Sequence, residues 1–294
     1  MRLSTHLGRK KLSRPKPQRR KKRGKTMNLE GKRVLITGGS SGIGFAIARA
    51  MLAKGARVVV TGRNSERLVQ AVRDLQEKGL PVIGIQADVA TPEGRFLSLD
   101  KAIEALGGLD VLVNNAGGVR AGRLEKTTEA EIRIMVEVDL VAPILLTQAA
   151  LPHLRASGEG LVVNVTSGIA LIGAPFYATY AAVKAGLSRF SEALRRELKG
   201  EGVGVLTLYP GATDTPMMQS SKAGPELGFT REPPEAVANA LIEGIETNSL
   251  EVIRGGEARA KMIAANRDDP AAIDERFLTM KPALEEAVSD HSAL

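Results

Sequence analysis

The chain has 294 residues, 43% of them hydrophobic and 25% charged, enough apolar material for one substantial core. It holds no Cys and only three His (His6, His153 and His291), which excludes disulfides, thiolate metal sites and a Cys nucleophile and gives no basis for a multi-histidine metal cage. Trp is absent and aromatic residues total 3%, so single-stranded bases would find little to stack on.

The net charge of +8 has a local origin: residues 1–26 hold twelve of the 41 Lys and Arg and no Asp or Glu. Beyond residue 26 acids outnumber bases, and the body gives no electrostatic reason to expect nucleic acid. The run 14–25, with Pro15 and Pro17 and almost nothing apolar, is expected to be a disordered basic tail. Three readings of it stay open: an upstream start with the working protein beginning near Met27, a solvated or nucleic-acid-binding arm, and an organelle-targeting peptide. Neither an apolar run near the roughly 20 residues that cross a bilayer nor an apolar signal segment is evident, so a soluble, cytoplasmic chain with no membrane partner is expected.

From Met27 to the end the expectation is a single domain. Short β-branched runs at 33–37, 56–61, 81–87, 109–114, 161–166, 203–209 and 251–253 read as strands. Helical stretches at 43–54, 65–78, 129–156, 177–199 and 234–247 separate them. Runs such as Val58-Val59-Val60 do not alternate with polar residues, as expected of strands buried on both faces. The pattern is that of an α/β, doubly wound, mainly parallel sheet of Rossmann type, about seven strands with helices on both faces. The segment from about 255 reads as one or two polar helices packed on the edge.

The first strand leads into Thr37-Gly38-Gly39-Ser40-Ser41-Gly42-Ile43-Gly44 and then a helix. Gly38 permits the tight turn, Gly42 lets the backbone approach a pyrophosphate, and Gly44 allows close packing, while the helix N-terminus attracts phosphate charge. Further pieces follow in order: Asp88-Val89, Asn114-Asn115-Ala116-Gly117, Ser167, Tyr180-Ala181-Ala182-Val183-Lys184, and Pro210-Gly211 with Thr213 and Thr215. Together, over about residues 29–250, they resemble the short-chain dehydrogenase/reductase family. The resemblance implies that Asp88 and Val89 flank the adenine, that Asn115 lines the central cofactor site, and that Thr213 and Thr215 lie near the nicotinamide amide. It also implies cofactor contacts from Ser40, Ser41 and Ile43, and a homo-dimer or homo-tetramer.

At the end of the second strand, where an acid would hold the ribose hydroxyls of NAD(H), the chain reads Thr61-Gly62-Arg63. Gly62 repels nothing and Arg63 can pair with a 2′-phosphate, so NADP(H) is favoured and NAD(H) remains possible. Ser41 stands where many NADP-preferring relatives carry a basic residue.

Tyr180 and Lys184, four apart on a helix, share a face. An ammonium in reach can lower a tyrosine pKa of about 10 by roughly 1 to 3 units. By resemblance Tyr180 is the general acid/base, Lys184 also holds the nicotinamide ribose, and Ser167 positions a carbonyl, so the expected partner is a small-molecule carbonyl or secondary alcohol. Tyr177 has Ala181 four residues on and is the decoy.

Relatives usually carry Asn where this chain has Asp139. Pro143 has no N–H to bond the carbonyl of residue 139, which leaves that carbonyl for a relay water; this is the preferred reading. The other is that the Asp139 carboxylate competes with Tyr180 for Lys184. Two further functions stay open: a non-catalytic dinucleotide sensor on the same fold, and a nucleic-acid-associated protein acting through the tail. The segment 217–229 reads as a lid; Met217, Met218, Leu227 and Phe229 suit a moderately apolar substrate or simple lid packing.

Overall fold

The computed structural model describes residues 26–294; the expected basic tail lies outside the described residues except for Thr26. In chain order the elements are β1 (Arg33–Ile36), α1 (Gly42–Ala53), β2 (Arg57–Gly62), α2 (Ser65–Gln76), β3 (Val82–Gln86), α3 (Pro92–Leu106), β4 (Val111–Asn114) and β5 (Val119–Arg120). They continue with α4 (Glu129–Val136), a π-helical turn (Glu137–Val141), α5 (Ala142–Ala156), β6 (Gly160–Val165), α6 (Ala178–Glu197) and β7 (Val203–Tyr209). The last are α7 (Pro234–Glu246), β8 (Glu251–Ile253), α8 (Gly256–Asp268), α9 (Pro270–Val288) and β9 (Ser292–Ala293).

Seven strands form one sheet in the order β3-β2-β1-β4-β6-β7-β8, every pairing parallel. Its central strands β1, β2, β4, β6 and β7 are mainly apolar and buried because both faces are covered, whereas the edge strands β3 and β8 are largely exposed. Val34, Ile36, Val58, Val60, Val111 and Val113 join α1 and α7 in one core, whereas Leu35, Val59 and Leu112 join α3 and α5 in the other. The order in which strands are added reverses between β1 and β4, which opens a crevice at the carboxyl ends of the strands.

Three departures from the sequence expectation have physical causes. Helix α3 is missing from the expected set because its inner face is built partly of small residues, Gly94, Ser98 and Ala102, which mute the apolar periodicity; its start is nonetheless marked by Thr91, whose hydroxyl accepts from the Gly94 N–H at 3.0 Å, and by Pro92. The expected helix 129–156 is interrupted by the π-helical turn, where Asp139 is turned fully inward. That whole run is long and apolar enough to span a membrane by length and composition; here Leu146, Ala150 and Leu154 pack against the sheet. Finally, α8 and α9 do not simply flank the sheet edge. They lead into β9, which pairs antiparallel with β5 above the strand ends, and Leu284 and Val288 pack beside Tyr177 and Ala223 in a third apolar cluster.

Candidate active site

The crevice is a cleft of about 620 Å³, within the range of small-molecule and cofactor sites. Its dinucleotide half is shaped by backbone. A Cβ on Gly44 would stand 2.4 Å from the Gly38 carbonyl oxygen and 2.4 Å from Asn115 Nδ2, and one on Gly38, whose φ is +65°, would stand 2.8 Å from Ala116 Cα. The loop therefore closes only with glycine at these places. Asn115 fastens it, donating from Nδ2 to the Thr37 and Gly38 carbonyls at 3.0 and 3.1 Å. Thr37 Oγ1 accepts from the Asn115 and Ala116 N–H groups at 3.0 Å each. Gly38, Ser40, Ser41, Gly42, Ile43, Asp88, Val89, Asn115, Thr213 and Thr215 all line the cleft, whereas Gly44 lies behind it. This cradle, with bare backbone at a helix N-terminus, fits the pyrophosphate of a nicotinamide dinucleotide.

At the end of β2, Gly62 presents no acidic side chain, and a Cβ there would sit 2.9 Å from Ser40 Oγ, so a larger residue would require the Ser40 hydroxyl to turn aside. Arg63 and Arg67 both line that end of the cleft. Arg67 escapes a reading confined to the strand terminus because it comes four residues later, on α2. The Arg63 guanidinium donates to the main-chain oxygen of Leu294, so the C-terminal strand reaches across to the residue expected to read a 2′-phosphate.

The chemical half is built around Ser167, Tyr180 and Lys184, which line the same cleft. Below them an amide ladder ties strands to helices: Asn114 Nδ2 donates to Asn164 Oδ1 at 2.8 Å, and Asn164 Nδ2 donates to Ser191 Oγ at 2.8 Å. Lys184 is buried and forms an ion pair with the fully buried Asp139 at 2.9 Å; its ammonium also donates to the Val165 carbonyl at 3.3 Å. The Gly118 N–H donates to Asp139 at 3.2 Å. Of the two readings of Asp139, the geometry realises the carboxylate contact with Lys184. An ammonium has three protons to donate, so one remains for a ribose hydroxyl.

The electrostatic outcome differs from the sequence expectation for Tyr180. Burial raises its pKa; Lys184 pulls it down, the Asp139 carboxylate pushes it up again, and a hydrogen bond with Ser167 lowers it, with the net position above the ordinary tyrosine value. Burial likewise raises the Asp139 carboxyl despite Lys184 and the Gly118 N–H. Burial opposes the Lys184 charge too, but Asp139 outweighs it and keeps the ammonium protonated. Tyr177, set aside on spacing, is pushed up to about 12 by burial.

Sequence patterns missed the far wall. The lid contributes Met217, Leu227 and Phe229 as expected, but Arg259, Phe277 and His291 also line the cleft. Arg259 and Phe277 come from helices whose apolar residues are too sparse to signal a buried face, and His291 from the short loop between α9 and β9. His291 is buried, with Nδ1 3.0 Å from Ser220 Oγ, and burial beside Arg231 and Arg120 lowers its pKa to about 4.

The sequence pattern of the short chain dehydrogenases matches residues 32–226. The chain belongs to that family. Among its relatives is the ketoacyl reductase HetN of Nostoc sp., 34% identical over 256 residues, covering 85% of this chain and 89% of that protein. A short chain dehydrogenase of Burkholderia cenocepacia solved with NADP is 35% identical with a TM-score of 0.69, covering 78% of this chain and 99% of that one. One of Burkholderia phymatum, solved with NAD, has a TM-score of 0.76 at 22% identity over 83% of this chain and 95% of its own, a likeness of fold. Family members of this architecture thus bind NADP or NAD, and the chain is an oxidoreductase of this family.

Proposed function

We propose that this short chain dehydrogenase is an NADP(H)-dependent carbonyl reductase with Tyr180 as proton donor. The observation that carries the reading is the convergence of Ser167, Tyr180 and Lys184 in one cleft with the glycine cradle. The bound nicotinamide supplies or accepts the hydride. Ser167 holds the substrate carbonyl oxygen and polarises it, and Tyr180 gives that oxygen its proton. Because burial and Asp139 keep the phenol protonated, the resting site is set for reduction at neutral pH, and alcohol oxidation calls for alkaline conditions. Lys184, anchored by Asp139 and the Val165 carbonyl, orients the ribose and stabilises the phenolate left after proton transfer.

NADP(H) is favoured by Gly62 and by the guanidinium groups of Arg63 and Arg67, which line that end of the cleft. A panel of ketones and secondary alcohols assayed with NADPH and NADH tests the reading. Ketone-dependent NADPH consumption, faster than with NADH, is expected; tight NADPH binding with no turnover across the panel would instead mark a dinucleotide sensor.

A further inference from the structure

The cleft carries a charge that the hydride-transfer reading does not use. Arg259, on the first turn of α8, reaches back along the cleft wall to Gly168, the residue after Ser167. A Cβ on Gly168 would stand 2.6 Å from one terminal nitrogen of the Arg259 guanidinium, 2.9 Å from Cζ and 3.2 Å from the other nitrogen. The group therefore lies flat on bare backbone beside the hydroxyl that is to hold the substrate oxygen. A second glycine, Gly255, makes room for its stem: a Cβ there would meet Arg259 Cβ at 2.9 Å.

Guanidinium groups withdrawn from water are ordinarily paired with a carboxylate. Arg259 is half-buried, and burial lowers its pKa with no acidic neighbour to restore it. Other cleft-facing side chains sharpen the contrast, because Asp88 is the single acidic side chain lining the cleft among the described residues, and it stands at the end expected to hold adenine. The wall contributed by α8, α9 and the neighbouring loop is otherwise mostly apolar, with Ile169, Met262, Phe277 and Met280 beside a second cation, Arg276.

We infer that Arg259 is the receptor for an oxyanion on the substrate, so that the protein reduces ketones that carry a carboxylate or phosphate on an apolar body. A guanidinium presents two parallel N–H donors to such a group, and its place against Gly168 puts the anion within a few bonds of the carbonyl held by Ser167. The inference rests on the carbonyl reductase reading and adds the substrate class to it.

The test compares charge-matched pairs. Initial rates are measured with NADPH for 3-oxobutanoate and 4-oxopentanoate, for their methyl esters, and for dihydroxyacetone phosphate against dihydroxyacetone. The wild type is expected to prefer the anionic member of a pair at least tenfold in kcat/KM, the carboxylate and phosphate arms showing which oxyanion is taken. Arg259→Gln is expected to collapse that preference by about tenfold or more, chiefly through KM, and Arg259→Lys to restore part of it. Calorimetry of the NADP⁺-saturated protein with pentanoate provides a second readout, with binding expected in the wild type and lost in Arg259→Gln. Ketone reduction indifferent to charge, or an equal loss for both members of each pair in Arg259→Gln, would overturn the oxyanion site and leave the reductase reading standing. Pentanoate binding that depends on Arg259, with no ketone reduced, would uphold the site and overturn the reductase reading. Absence of pentanoate binding to the wild type, together with no preference for dihydroxyacetone phosphate over dihydroxyacetone, would overturn the site.

Discussion

The two halves of the cleft are made in different ways. The dinucleotide half is a backbone surface: its shape comes from Gly38, Gly42 and Gly44 and from Asn115 and Thr37, which fasten the loop. The substrate half is a side-chain surface, assembled from the lid and from α8, α9 and the strand after them. Backbone shape tolerates almost no substitution, since a single Cβ on Gly44 would land 2.4 Å from a carbonyl oxygen. Side-chain walls can exchange residues and volume without unfolding the cradle. A cleft with one fixed half and one adjustable half is what this construction produces.

The sharpest way to separate the halves is Tyr180→Phe. It removes the proton donor without touching the cradle, so turnover should fall by about 10² to 10⁴-fold while the NADPH dissociation constant moves by no more than a few fold. Rates together with calorimetric titration check this. Next in size is Arg63→Ala, which should raise KM for NADPH roughly ten to a hundredfold and leave NADH nearly unaffected. Equal effects on both cofactors would mean that the β2 end does not read the 2′-phosphate. The Leu294 main-chain oxygen takes one terminal nitrogen of this guanidinium, which leaves its other N–H groups for a phosphate.

Asp139→Asn acts on the boundary between the halves. The carboxylate raises the Tyr180 pKa; an amide removes that push while still accepting a hydrogen bond from Lys184. The pH profile of alcohol oxidation, which needs the phenolate, should then move to lower pH. An unchanged profile would show that the ion pair does not govern the tyrosine.

The smallest expected effect concerns the substrate half alone. His291 is neutral when folded, with its pKa lowered to about 4 from an ordinary value of about 6.5. The unfolded chain therefore takes up the proton first. The stability contributed is complete above about pH 6.5 and is lost as pH falls toward 4. Between pH 6.5 and 4.5 the wild-type Tm should fall by about 3 to 6 °C, and His291→Gln should flatten this slope. The same slope in both proteins would remove His291 as the cause.

The contrast between backbone and side-chain construction also explains what could be read from the chain before its structure. Glycines at 38, 42 and 44 are dictated locally, by turn geometry and close approach, and the strand–loop–helix context around them is contiguous; the sheet, its parallel order and the cradle were legible for that reason. Tyr180 and Lys184 were legible because i, i+4 spacing fixes a shared helix face. Arg259 and His291 reach the cleft through tertiary packing of α8, α9 and β9, and nothing in the residues flanking them marks that placement. The Tyr180 pKa was misjudged on similar grounds. Spacing reveals the nearby ammonium, but burial and the inward turn of Asp139 depend on the fold.

Transfer of label is the most direct test of the central claim. With NADPH carrying deuterium at C4 and a ketone that the protein turns over, the account predicts deuterium on the carbinol carbon of the product, delivered from one face of the carbonyl and abolished together with turnover in Tyr180→Phe. NADPH that binds tightly but leaves no deuterium in any product, or label transfer that persists at the wild-type rate in Tyr180→Phe, would contradict it.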